Sequence, residues 1–271
     1  MHSTEEKLAA FERLLKIMED LREQCPWDRK QTFETLRNLT IEETYELSEA
    51  IMDADMDEIR KETGDLLLHM VFYAQIASER PRNQGGWDIA DSLNGICDKL
   101  IDRHPHIYGD VEASDVKTVK ANWEQLKLKE GKKSVLEGVP KGLPSLVKAY
   151  RIQDKVQGIG FDWEHAGQVW EKVQEELAEF QAEVDVDPDR AAEEFGDVLF
   201  ALVNYARFKD INPDEALERT NRRFQSRFQH MESAIQADVE QGGKTMAEMS
   251  LTELDAYWDR AKTALSSTPF E

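Results

Sequence analysis

Apolar residues recur three and four positions apart along most of the chain: Leu8, Phe11, Leu15 and Met18; Leu66, Met70, Tyr73 and Ala77; Val169, Val173, Leu177 and Phe180; Leu217, Phe224, Phe228 and Met231. Such spacing returns to one face of an α-helix. No stretch alternates convincingly as a strand would, so the pattern predicts an all-α fold built of helical bundles. Pro and Gly gather between the periodic runs, in RPRNQGG (80–86), HPHIYGD (104–110) and KLKEGKKSVLEGVPKGLPSL (127–146), where they end helices and make turns. The apolar run LLLHMVFYAQIA (66–77) is too short to span a bilayer and carries His69 and Gln75, so it reads as a buried helix.

Superimposed on this pattern is an internal repeat. The first half contains CPWD (25–28), EETYE (42–46), ETGD (62–65) and then LLLHMVFYA; the second contains GFDW (160–163), EELAE (175–179), EFGD (194–197) and then VLFALVNYA. Order and spacing agree between the halves, which predicts a duplication. The expected organisation is a first domain over 1–126, a linker over 127–146 and a second domain over 147–271.

The repeated acidic motifs carry the candidate chemistry. Positions three apart share a helix face, so Glu43 can align with Glu46 and Glu62 with Asp65, as can Glu176 with Glu179 and Glu194 with Asp197. DVDPD (185–189) is a turn signal between the last two pairs. Two antiparallel helices would then aim four carboxylates at one point. Such a cluster near a core needs a compensating cation, and oxygen-only ligands favour Mg²⁺, with Mn²⁺ as a substitute, over zinc. A di-iron bundle would need Glu-x-x-His, whereas both copies place Asp at that position; His69, four residues beyond Asp65, is matched by Ala201. Gly64 and Gly196, inside the ExxD motifs, suggest close approach of a neighbouring helix or ligand. A solvated acidic face is the competing account of any single cluster.

Composition narrows the partners. The chain has 271 residues, a formal net charge of −21 and two cysteines, Cys25 and Cys97. So negative a surface repels nucleic acid and anionic membranes. The cysteines form no CxxC pair and the N-terminus lacks the apolar core of a signal peptide, which points to a reducing cytoplasm.

The paired motifs resemble the MazG family of nucleoside triphosphate pyrophosphohydrolases, whose signature is EExxE followed by ExxD. CPWDRKQT (25–32), RHPHIYGD (103–110) and GFDW (160–163) are similar to further segments of that family, and full-length bacterial members carry two tandem copies. The resemblance implies an all-α homodimer that depends on Mg²⁺ and hydrolyses NTPs or dNTPs to the monophosphate and pyrophosphate. By motif match, it implies metal ligation by Glu43, Glu46, Glu62 and Asp65 in the first copy and by Glu176, Glu179, Glu194 and Asp197 in the second. Glu42 and Glu175, about 100° around the helix from the first ligands, are catalytic candidates that either hold a further ion or orient the attacking water.

The copies differ in cations. One helical turn before the ligands the second copy has Lys172 and Arg190, where the first has Leu39 and Glu58. Arg223 and Arg227 share a helix face, with Lys99 and Arg103 at the corresponding spacing. Trp258 and Lys262 are expected to close the second site, with no clear counterpart in the first. Asn204 is a candidate for the same ligand-facing surface, where the first copy has Phe72. These contrasts predict that the C-terminal site does most of the catalysis. Trp27 and Trp163 either line a base pocket or fill the core at helix starts; Cys25 reads as a buried thiol, and His104 and His106 as turn residues or phosphate contacts. Rival functions are a specialised dUTP, dCTP or phosphoribosyl-ATP pyrophosphohydrolase and a non-catalytic, metal-stabilised nucleotide sensor.

Overall fold

The computed structural model describes residues 1–109 and 134–265. Among these residues it contains helices, turns and bends and no strand. They fall into two compact units, 1–109 and 134–265. Residues 127–133 of the expected linker lie outside the described residues, and 134–144 run in turns and bends.

In the first unit, α1 (Thr4–Gln24) starts at a capping box in which Ser3 and Glu6 satisfy each other's backbone N–H groups. A second box, Thr32 with Thr35, starts α2 (Phe33–Met52). A three-residue connection with Ala54 at φ 54° reverses the chain, and the Asp55 carboxylate caps α3 (Met56–Ser78) by accepting from the amides of Asp57 and Glu58. α4 (Ile89–Arg103) and the single turn α5 (Pro105–Tyr108) follow. Met18 of α1, Leu36 of α2, and Val71, Phe72 and Ile76 of α3 form the core, with Phe11, Leu15, Leu39 and Tyr73 packed around them. Each such large side chain contributes about 1.5–3 kcal/mol on burial.

CPWDRKQT is a brace between helices. Arg22 near the end of α1 donates to the carbonyls of Asp28 and Gln31 and pairs with Glu79 just beyond α3. The Gln31 amide donates to the Trp27 carbonyl at 3.0 Å, and its oxygen accepts from Thr35 at 2.8 Å. Asp28 and Gln31 are buried, whereas the Trp27 ring is 56% exposed. Cys25 is half-buried and free.

The second unit comprises α6 (Ser145–Gln157), α7 (Ala166–Glu183), α8 (Pro188–Phe208), α9 (Pro213–Glu240) and α10 (Leu251–Leu265). The DVDPD turn acts as expected: Asp187 caps α8 and Pro188 occupies its first turn. α7 and α8 form a hairpin, α6 packs on α8 and α9, and α10 lies along α9. Val169, Val173, Val198, Ala201, Val203, Met231, Ile235 and Ala261 are buried between them. Gln153 of α6 donates to the Phe200 carbonyl at 2.8 Å, tying that helix to α8.

The buried faces differ in part from the periodic rows in the sequence. Leu8, Met70, Leu177, Leu217 and Phe224 are exposed, while His69 and Phe72 lie inside. On α3 the core face is centred on Val71, Phe72 and Ile76; of the expected row Ala77 is buried and Tyr73 packs on the core, while Met70 turns toward solvent. Phe72 therefore belongs to the core and not to a ligand-facing surface.

Candidate metal centres and the surrounding cations

Each helical hairpin carries a carboxylate cluster. In the first, oxygens of Glu43 on α2 and of Glu62 and Asp65 on α3 all lie within 4.8 Å of one another. In the second, Glu176 on α7 and Glu194 and Asp197 on α8 meet the same limit. The convergence follows from helix geometry. ExxD places two carboxylates one turn apart on one helix, and the short reversal brings the facing glutamate opposite them. The fourth expected ligands, Glu46 and Glu179, stand outside these tight sets but within electrostatic reach of them.

The charge state of the first cluster shows what it lacks. Burial, followed by the fields of Glu46, Asp65 and Glu62, pushes the Glu43 carboxyl up to about 7. Burial and the neighbouring carboxylates also raise Glu62, whose Oε2 is buried without a hydrogen-bond partner. Among the described residues no Lys or Arg pairs with Glu43, Glu62 or Asp65. Like charges held together away from water, with an orphaned acceptor atom, fit a hard divalent cation held by oxygen. His69 is buried with its Nδ1 unpartnered, and burial holds it below the usual histidine range.

The second cluster is partly compensated. Lys172 Nζ lies 2.7 Å from Glu175 Oε1 and 2.7 Å from Glu176 Oε1. Arg190 donates to Glu194 at 3.1 Å and lies 3.7 Å from Glu183. Glu176 is buried and Glu175 exposed. Burial, then the fields of Glu176 and Glu194, raises the Glu179 carboxyl. At the equivalent positions of the first cluster, Leu39 packs against the core and Glu58 pairs with Lys61. Both pairings join residues four apart on one helix, Lys172 with Glu176 and Arg190 with Glu194.

The remaining cationic candidates sit on α9 and α10. Trp258 packs against Phe224 with ring centroids 5.0 Å apart, bringing α10 against the helix that carries Arg223 and Arg227. Arg227 keeps its Nε buried without a hydrogen-bond partner, Arg223 donates to Thr220 at 3.3 Å, and Lys262 pairs with Asp259 at 2.9 Å. Asn204 is drawn into a different network. Its Oδ1 accepts from Arg207 at 2.8 and 3.1 Å, and Arg207 pairs with Asp162 of the GFDW segment. That network braces the α6–α7 connection against α8. Arg207, which carries it, was missed in the sequence, although it follows Asn204 by three positions.

A Cβ built on Gly64 or Gly196 would meet nothing within 4 Å, so no neighbouring helix among the described residues approaches either glycine. Two expectations need correction. Trp27 and Trp163 are exposed, not core. The second concerns the closing Trp–Lys pair: ANWEQLK (121–127) matches AYWDRAK (256–262) in the positions of Ala, Trp, the acid and Lys, so the first copy does contain a counterpart. It lies outside the described residues. Lys99 and Arg103 fall on α4, and Glu42 is exposed on α2.

Fold and site together define a class: an all-helical protein whose hairpins each present converging carboxylates suited to a divalent cation. The profile of the MazG nucleotide pyrophosphohydrolase domain matches residues 31–108. The chain is 43% identical over 257 residues to the nucleoside triphosphate pyrophosphohydrolase/pyrophosphatase MazG of Thermotoga maritima, covering 93% of this chain and 95% of that one. It is 40% identical over 262 residues to the nucleoside triphosphate pyrophosphohydrolase of Escherichia coli K12, covering 93% and 97%. The chain belongs to the MazG family.

Proposed function

We propose that this protein is a Mg²⁺-dependent nucleoside triphosphate pyrophosphohydrolase of two tandem MazG domains, acting chiefly at its C-terminal site in the cytoplasm. The observation that carries the reading is the convergence of Glu176, Glu194 and Asp197 within 4.8 Å, with Lys172 and Arg190 one turn away. The activity named for these relatives supports the reaction class, and their aligned spans extend across both clusters. The repeated hairpin supports the tandem organisation.

Glu176, Glu179, Glu194 and Asp197 would hold Mg²⁺, or Mn²⁺ in its place, as Glu43, Glu46, Glu62 and Asp65 would in the first copy. The bound ion would supply charge neutralisation on the phosphate oxygens and a lowered pKa for attacking water. Cleavage between the α and β phosphates needs that water in line with departing pyrophosphate. Glu175, exposed beside Glu176, would either orient the water or accept its proton, with Glu42 as its equivalent. Lys172, Arg190, Arg223, Arg227 and Lys262 supply positive charge for the triphosphate, and Trp258 offers a face for the base. Asn204, which accepts from Arg207 in the brace to Asp162, is not counted among these contacts.

A homodimer fits the exposed side of each hairpin. Gly64, Leu67 and Met70 share a face of α3, and Gly196, Leu199 and Leu202 repeat it on α8. All four large residues are exposed and both glycines adjoin open space, which is the character of an unfilled interface. Light scattering is expected to give the mass of two chains, reduced to one in a Leu67→Lys/Leu199→Lys variant. A wild type of one-chain mass sinks this part.

The function is tested by incubating the protein with Mg²⁺ and a panel of NTPs and dNTPs and resolving NMP, NDP, phosphate and pyrophosphate. NMP with equimolar pyrophosphate, abolished by EDTA, is expected. NDP with phosphate, or no turnover of any nucleotide, contradicts the reading; the panel also reveals whether one base dominates.

A further inference from the structure

The two clusters share their carboxylates but differ in what neutralises them. In the second, one ammonium bridges Glu175 and Glu176 at 2.7 Å each, and one guanidinium reaches Glu194 at 3.1 Å. The first has an aliphatic Leu39 and an acidic Glu58 at those positions, and among the described residues no basic side chain pairs with its three converging carboxylates.

We infer that Lys172 and Arg190 are resident counter-ions of the second cluster, so that it takes up a divalent cation together with a polyphosphate, whereas the first cluster takes up the cation alone. The inference rests on the metal-site reading above. A divalent ion entering at Glu176 meets a fixed positive charge on the same carboxylate, and the two cations repel unless the ammonium leaves. In the nucleotide-free protein the ammonium has water as its alternative, so the metal is opposed. A triphosphate offers both Lys172 and Arg190 anionic acceptors in place of the carboxylates they release. Metal and polyphosphate then favour each other's binding at this site, a coupling that is reciprocal by thermodynamic necessity. Free metal at the second site is kept low until substrate arrives, while the first cluster is filled by metal irrespective of nucleotide.

One fixed charge within a few ångströms of a bound divalent ion changes its affinity by about tenfold or more at the dielectric of a partly buried surface. The test follows Mn²⁺ binding to full-length protein by the loss of the free-ion electron paramagnetic resonance signal, without nucleotide. Wild type is expected to show a tight class, removed by Glu43→Gln, and a class about tenfold weaker, removed by Glu176→Gln. Lys172→Met, which keeps the aliphatic stem, should tighten the weaker class about tenfold. Glu58→Arg, which copies the second cluster's arrangement into the first on an exposed helix start, should weaken the tight class. A triphosphate with a methylene between its α and β phosphorus atoms should tighten the second class in wild type and less so in Lys172→Met. Circular dichroism verifies the fold of each variant. Equal affinities at the two clusters, or a second class untouched by Lys172→Met, overturn the inference while leaving both as metal sites. Mn²⁺ binding unaffected by either Glu→Gln change overturns the metal-site reading itself.

Discussion

Glu43 is the carboxylate on which the electrostatics of the first cluster are most visible. Its pKa of about 7 means that, without metal, the folded state holds a proton that the unfolded chain releases near 4.5. The folded state therefore binds more protons between these values, and stability falls as pH rises through that window. The contribution is complete below pH 4.5 and lost above about pH 7. Metal-free protein should lose about 1 kcal/mol between pH 5 and 8 after solvent screening is discounted. Thermal unfolding with EDTA at both pH values should show the loss in wild type and a smaller one in Glu43→Gln; equal losses would remove Glu43 as the source. At this scale the sequence was informative where periodicity governs: ExxD and the middle glutamate of EExxE converge as helix geometry requires, whereas Glu46 and Glu179 stand outside the tight sets. It was silent on which cation satisfies them, because Lys172 as phosphate ligand and Lys172 as partner of Glu176 have the same spacing. Trp27 and Trp163 illustrate the opposite failure. A large aromatic at a helix start favours burial in general, yet in CPWD it is Asp28, held beneath the Arg22 brace, that goes inside.

Among the elements, the hairpins could be read from cap and turn chemistry. Thr32, Asp55 and Asp187 each accept from backbone amides at a helix start, and Pro188 sits where a proline costs no hydrogen bond. Which face each helix buries was less legible. Leu67 and Met70 are as apolar as Val71 and Ile76, and only packing against α1 and α2 distinguishes them. The bond from Asp162 to Arg207 spans 45 residues and could not be found by local spacing. Arg207 is almost fully buried, with Asp162 and Asn204 as its anionic and neutral acceptors. Removing the carboxylate leaves a buried charge half-compensated. Asp162→Ala should therefore cost about 3 kcal/mol in urea unfolding of the full chain; a cost under about 0.5 kcal/mol would show the pair to be dispensable.

For the whole molecule, the repeat announced itself because two acidic motifs recur in the same order at nearly the same separation. The structure places a hairpin and a carboxylate cluster in each of its two compact units. What differs between them is the charge beside the clusters, and the proposed division of labour rests on it: one turn from its carboxylates the second site has Lys172 and Arg190 to offer a triphosphate, where the first has Leu39 and Glu58. The nucleotide assay on Glu43→Gln and Glu176→Gln variants tests this most directly, with pyrophosphate release as the readout. Glu176→Gln should lower kcat/KM by at least about a hundredfold, as expected for loss of a ligand to a catalytic ion, while Glu43→Gln should retain most activity. Activity lost with Glu43→Gln and kept with Glu176→Gln would place the chemistry in the first unit and contradict the account.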